Sequence, residues 1–168
     1  MNWEILNALK DTLIMILIPT LFAIFFGVPL GSLLFLTNKG SIKENMRIYI
    51  PANIYVNVVR SFPFLILVVV LMPVARLIFG TAFGLIPASF PICVVAVALY
   101  ARFVEQSFYD VDKGILDVAL SMKATSFQIV WHFLIVEARS SLVLGLTSSI
   151  ISFISYSTVM GGFCFPNC

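Results

Sequence analysis

The chain has 168 residues, 61% hydrophobic and 11% charged, with a formal net charge of +2. Soluble domains carry about 25% charged residues, so this composition, with its mean hydropathy of +1.08, excludes an ordinary soluble globule. The small net charge and the lack of a basic cluster exclude nucleic acid as a partner.

Charge is also unevenly placed. Eight of the eighteen Asp, Glu, Lys and Arg residues lie between Glu105 and Arg139, while the runs 12–38, 77–101 and 140–168 contain none. An apolar run of about 20 residues crosses a bilayer core, and a soluble bundle would need polar faces that these runs lack. The expected fold is all-α: a polytopic membrane helix bundle in one domain over 1–168, with about four transmembrane helices and two short cytoplasmic helices.

In chain order, the first span is expected over about 11–37, with Gly27 and Gly31 and with Pro19 and Pro29 inside it. Such breakers are tolerated where neighbouring groups satisfy the freed backbone. The apolar run is too long for the core of a cleaved signal peptide, so this helix is expected to act as an uncleaved insertion signal. A turn at Thr37–Ser41 leads to a second span over about 53–79, kinked at Pro63 and Pro73. Arg60 interrupts it near one end, where a long side chain snorkels to the headgroups as an interface anchor. Gly80 and Gly84 mark a short turn, and a third span is expected over about 85–105.

The segment 106–140 is the large polar loop. Its run from Gly114 to Lys123 has helical periodicity, with Ile115, Val118, Ala119 and Met122 expected on one face. Thr125 and Gln128 fit a capping box, and a second amphipathic helix is expected through Ile129, Val130, Phe133 and Leu134. The pair reads as a knob whose exposed apolar side chains suit a groove on another protein. The bland alternative is an interfacial pair lying on lipid headgroups. A fourth span is expected over about 141–162, studded with hydroxyls such as Ser148, Ser152 and Ser155. Small hydroxylated residues permit close helix packing or line a wet path.

Basic residues near the helix ends set orientation. Lys39, Lys43 and Arg47 in one loop and Lys113, Lys123 and Arg139 in the other make both cytoplasmic, with the N-terminus outside. Cys93, Cys164 and Cys168 give no disulfide framework. A Cys164–Cys168 bridge needs an oxidising compartment, and unpaired thiols are the expectation. The lone His132 and the absence of a metal-spaced set or nucleophile–base pair argue against an intramembrane enzyme, and no filter-like run argues for a channel.

The run from Asp110 to Val130 resembles the cytoplasmic loop of permease subunits of binding-protein-dependent ABC importers. Gly27-Val-Pro-Leu-Gly31, Arg60-Ser-Phe-Pro-Phe64, Tyr100-Ala-Arg-Phe-Val-Glu105 and Tyr156-Ser-Thr-Val-Met-Gly-Gly162 are similar to the methionine-importer subgroup. The resemblance implies a bacterial inner-membrane transport subunit without catalytic chemistry. It implies a cytoplasmic ATPase partner that uses ATP and Mg, an external substrate-binding protein, a second permease copy and surrounding lipid. On that resemblance Gly114, Asp117, Val118, Ala119, Met122, Lys123, Ala124 and Phe127 dock the ATPase. Ser152 and Tyr156 border the pathway, and Val159 or Met160 forms its apolar gate. No metal site or bound cofactor is expected on this chain.

The chain departs from the family loop at three places: Asp117 stands for Glu, Lys123 for Gly and Val136 for Pro. It also stops where family members continue into one further span. An alternative reading is therefore a truncated, transport-inactive remnant.

Overall fold

The computed structural model describes the backbone of residues 2–41, 43–80 and 85–164, and the side chains of 6–7, 9–41, 43–80 and 86–159. Every regular element among the described residues is helical. Helix α1 (Asn2–Phe22) passes through a π-helical turn (Ala23–Gly27) into α2 (Val28–Thr37). The wider turn precedes Pro29, which lacks an amide donor and crowds the carbonyl one turn back. Local π adjustment is one way a membrane helix accommodates such a residue. The apolar stretch long enough to span runs Leu9–Thr37.

The stretch expected as one helix over 53–79 is instead two. Helix α3 (Met46–Ser61) and α4 (Phe64–Phe79) meet at 117°. The break has a local cause: Pro63 disfavours helical geometry in the residue before it, and Phe62 is extended at φ −82°, ψ 135°. At the far end Gly80 closes α4 in the left-handed region at φ 75°, its amide donating to the Arg76 carbonyl at 2.9 Å. Helix α5 (Leu85–Tyr109) then runs a full turn beyond its expected end.

The loop holds α6 (Lys113–Ser121), α7 (Ser126–Gln128), a second π turn (Ile129–Leu134) and α8 (Ile135–Glu137). A break at Ala138 leads to α9 (Arg139–Cys164). Among the described residues, three helices are long and apolar enough to cross a membrane, or four if the bent α3–α4 pair counts as one span.

Helix α5 is the centre of the bundle. The core gathers its Ile92, Ala96, Tyr100, Val104 and Phe108 with Ala23, Phe35, Leu142 and Phe153. On its other side, Val95, Ala98 and Ala101 meet Leu34, Val56 and Val59. Contact is close because the partners carry glycine where they cross α5. A Cβ at Gly31 would lie 2.5 Å from the Ala101 carbonyl oxygen and 2.7 Å from Val104 Cβ. One at Gly145 of α9 would lie 2.9 Å from Phe103 Cβ. In lipid, association depends on such backbone approach and dispersion, because burial gives no gain over lipid tails.

Candidate functional site: the charged loop and the polar face of the bundle

Asp112 starts α6, its Oδ1 accepting from the Gly114 amide at 2.8 Å. The helix buries Ala119 completely and half-buries Ile115 and Leu116 against the core. Val118 and Met122, expected on that same face, point outward instead. Val118 is 56% exposed and Met122 70%. The cause is geometric: the buried stripe centres on Ile115, Leu116 and Ala119, and the helix has ended before Met122, which caps it at ψ 3°.

The turn that follows is set by Lys123. Its φ of +52° is the one left-handed non-glycine value among the described residues. Its amide donates to the Leu120 carbonyl at 2.9 Å and that of Ala124 to Ala119 at 3.2 Å, closing the end of α6. A β-carbon in this region costs about 1–2 kcal/mol, a cost that the Gly implied here by the resemblance would avoid. The Lys side chain itself is exposed.

The next helix starts at Thr125. Gln128 Oε1 accepts from the Thr125 amide at 2.9 Å and from its hydroxyl at 3.0 Å, the returning half of the expected capping box. Beyond it, i→i+5 winding brings Ile129 and Leu134 to one buried face. Phe127, 69% exposed, and Trp131 stand outward as an edge-to-face pair with centroids 6.1 Å apart. The loop thus buries one narrow stripe and presents Val118, Leu120, Met122, Phe127 and Trp131 with the charges of Asp117 and Lys123. Beside α6, Phe35, Tyr109, Lys113, Leu116 and Asp117 border a groove of about 370 Å³.

The polar face of the spans is a separate region. In α9 the hydroxyls of Thr147, Ser149, Ser152 and Ser155 each donate to the carbonyl four residues back, at 2.8–3.3 Å. They are satisfied within their own helix, so they are compatible with either side of the packing-or-pathway alternative. Tyr156 stacks on Phe64 at the start of α4, centroids 4.1 Å apart and planes 17° apart, which fixes the elbow after Pro63 against α9. Val159 is half-buried; the side chain of Met160 lies outside the described residues, as do those of Cys164 and Cys168. Cys93 is a buried free thiol.

Arg60 stands in the last turn of α3, just before the elbow. Its exposed side chain borders a crevice with Leu99, Arg102, Phe103 and Gln106. Arg102 Nη1 donates to Glu105 Oε2 at 2.7 Å, the one ion pair among the described residues. Proline chemistry announced a bend at 63, but nothing local announced that the bend would carry Arg60 to α5. Among the described residues no group of three His, Cys, Asp or Glu side chains is placed to hold a metal.

No family profile matches the chain, but curated relatives and solved structures do. A probable D-methionine transport system permease protein MetI of Pasteurella multocida is 39% identical over 160 residues, 95% of this chain and 74% of its own length. The D-methionine transport system permease protein MetI of Salmonella typhi is 38% identical over 96% of this chain and 74% of its length. Among solved structures, a chain of the MetNI methionine ABC transporter in an inward-facing conformation superposes with TM-score 0.90 at 35% identity, covering 96% of this chain and 74% of that one. An amino acid ABC transporter shares the fold at TM-score 0.64 and 21% identity.

The fold, its spans and its loop define a multi-pass membrane permease subunit of an ABC importer. The chain belongs to the MetI family of methionine-importer permeases. The remnant reading is not favoured, since the likeness holds along 95% of this chain.

Proposed function

We propose that this chain carries methionine across the bacterial inner membrane as one of two permease copies, driven by a separate cytoplasmic ATPase that binds ATP and Mg. An external substrate-binding protein delivers the cargo, lipid surrounds the bundle, and the N-terminus faces outward. The permease contributes no bond-breaking chemistry. Its part is to transmit ATP-driven closure of the paired ATPase subunits into a tilt of the bundles between inward- and outward-open states.

Gly114, Asp117, Val118, Ala119, Met122, Lys123, Ala124 and Phe127 form the docking element in this reading. Ala119 roots it in the core, Gly114 leaves room for the Asp112 cap, and Val118, Met122 and Phe127 enter the ATPase surface. The single observation that carries the reading is the outward presentation of these large apolar side chains on a capped, core-anchored loop. Such side chains in the centre of an interface contribute most of its energy. Ser152, Tyr156, Val159 and Met160 border the pathway, with Val159 or Met160 as the apolar constriction.

Pull-down of a co-expressed ATPase subunit tests the docking role. Replacing Asp117 and Phe127 together by Arg should weaken association by about 2–4 kcal/mol, a loss of roughly thirtyfold or more. Unchanged association of the folded double variant would rule this docking surface out.

A further inference from the structure

The polar cluster where the elbow of α3 meets α5 is not used by the docking mechanism. Arg102 and Glu105 sit on a spanning helix, and Glu105 is 3% exposed. One Arg102 nitrogen holds Glu105, while Nε is buried without a hydrogen-bond partner. Arg60 reaches the same crevice from α3, and Gln106 adds an amide. The crevice is thus bordered by two guanidinium side chains, one of them already paired to Glu105. An excess cation and an orphaned donor inside a membrane bundle are costly unless an anion completes them.

The space has the size of a head group. At about 30 Å³ the crevice admits one or two water-sized groups, too few for a whole amino acid but enough for the oxygens of a carboxylate. Leu99 and Phe103 wall it with apolar surface. The α3 face leading to it is polar and exposed: Asn57 donates to Asn53 at 3.1 Å, and the Ser61 hydroxyl donates to the Asn57 carbonyl at 2.7 Å. Such a face in a membrane protein lines water or protein rather than lipid tails.

We propose that Arg60 and Arg102 form an anion site that receives the carboxylate of the amino-acid cargo as it crosses the bundle. This rests on the reading that the cargo is an amino acid. Arg60 offers a forked guanidinium to the incoming carboxylate, and Arg102, oriented by Glu105, adds its positive charge from the crevice wall. The cargo side chain lies outside the crevice, so the site selects for the carboxylate and not for side-chain size.

The test uses the assembled permease–ATPase complex without binding protein, in nanodiscs of phosphatidylcholine alone or with phosphatidylglycerol. Equilibrium binding of radiolabelled methionine is measured with unlabelled methionine and methionine methyl ester as competitors. The ester should compete about tenfold to a hundredfold less well, the loss of a charge-assisted hydrogen bond. Arg60→Gln should erase that discrimination and Arg60→Lys restore part of it. Arg60 is exposed and carries the test, because Arg102→Gln strips the buried Glu105 of its partner and endangers folding.

Equal competition by ester and methionine on the unaltered complex overturns the proposal, as does an Arg60→Gln complex that still discriminates. Absence of methionine binding overturns it as well. Methionine binding abolished by phosphatidylglycerol assigns the site to lipid phosphate and likewise overturns it. Association with the ATPase reports on docking independently, so failure of this site and failure of the docking role are told apart.

Discussion

Helix α5 and the loop that follows it differ in what their apolar residues do. The apolar stretch of α5 is 61% buried inside the bundle, against 22% for the first span and 28% for α9. Its neighbours carry glycine to approach it, and its apolar side chains from Ala88 to Phe108 are buried or half-buried. In the loop, Ala119, Ile129 and Leu134 alone are fully buried, while larger side chains around them stand in the open. One region is a pillar fixed by close packing, and the other is a handle rooted in it by a few small or aliphatic residues. An apolar residue is therefore informative here only with its depth: Val104 holds the fold, and Met122 is free to meet something else.

Disturbing the pillar should have the largest effect. Gly31→Val sets branched carbon against the Ala101 carbonyl and Val104, and overpacking of this kind costs about 3 kcal/mol. Thermal unfolding in detergent should show a marked drop in Tm; an unaltered Tm would mean that α2 is free to withdraw from α5. At the elbow, a double-mutant cycle of Phe64→Ala and Tyr156→Ala should return a coupling of about 1 kcal/mol for the stacked rings. Additive losses would show that the stack does not hold α4 to α9.

Changes in the handle should be smaller and local. Lys123→Gly removes the left-handed β-carbon and should stabilise the α6–α7 turn by about 1 kcal/mol, read as slower amide exchange at Lys123 and Ala124. Faster exchange would mean that the entropy of the more flexible residue outweighs the strain. Gln128→Ala deletes the returning half of the cap and should cost about 0.5–1 kcal/mol, visible as faster exchange at Thr125 with the bundle Tm unchanged.

Much of this architecture was legible in the chain. Uncharged runs marked the first, third and fourth spans, and the island of charge marked the loop, because bilayer insertion depends on composition over about 20 residues. The Thr125–Gln128 cap was readable from spacing alone, and the strain at Lys123 from the Gly it replaces. Other features belong to tertiary structure. Pro63 foretold a bend but not one of 117°. The π turns at 23–27 and 129–134 leave no mark in a period-3.6 pattern, and the outward turn of Val118 and Met122 depended on where α6 stops. The crevice of Arg60, Arg102 and Gln106 joins residues more than forty positions apart and was invisible until α3 was folded onto α5.

Site-directed photo-crosslinking tests the handle most directly. A benzoyl-phenylalanine at Phe127 or Met122, in the complex co-expressed with its ATPase, should give a covalent adduct with the ATPase on illumination. The same group at Leu144, exposed on the outside of α9, should give none. Adducts from Leu144 with none from Phe127 or Met122 would contradict the account.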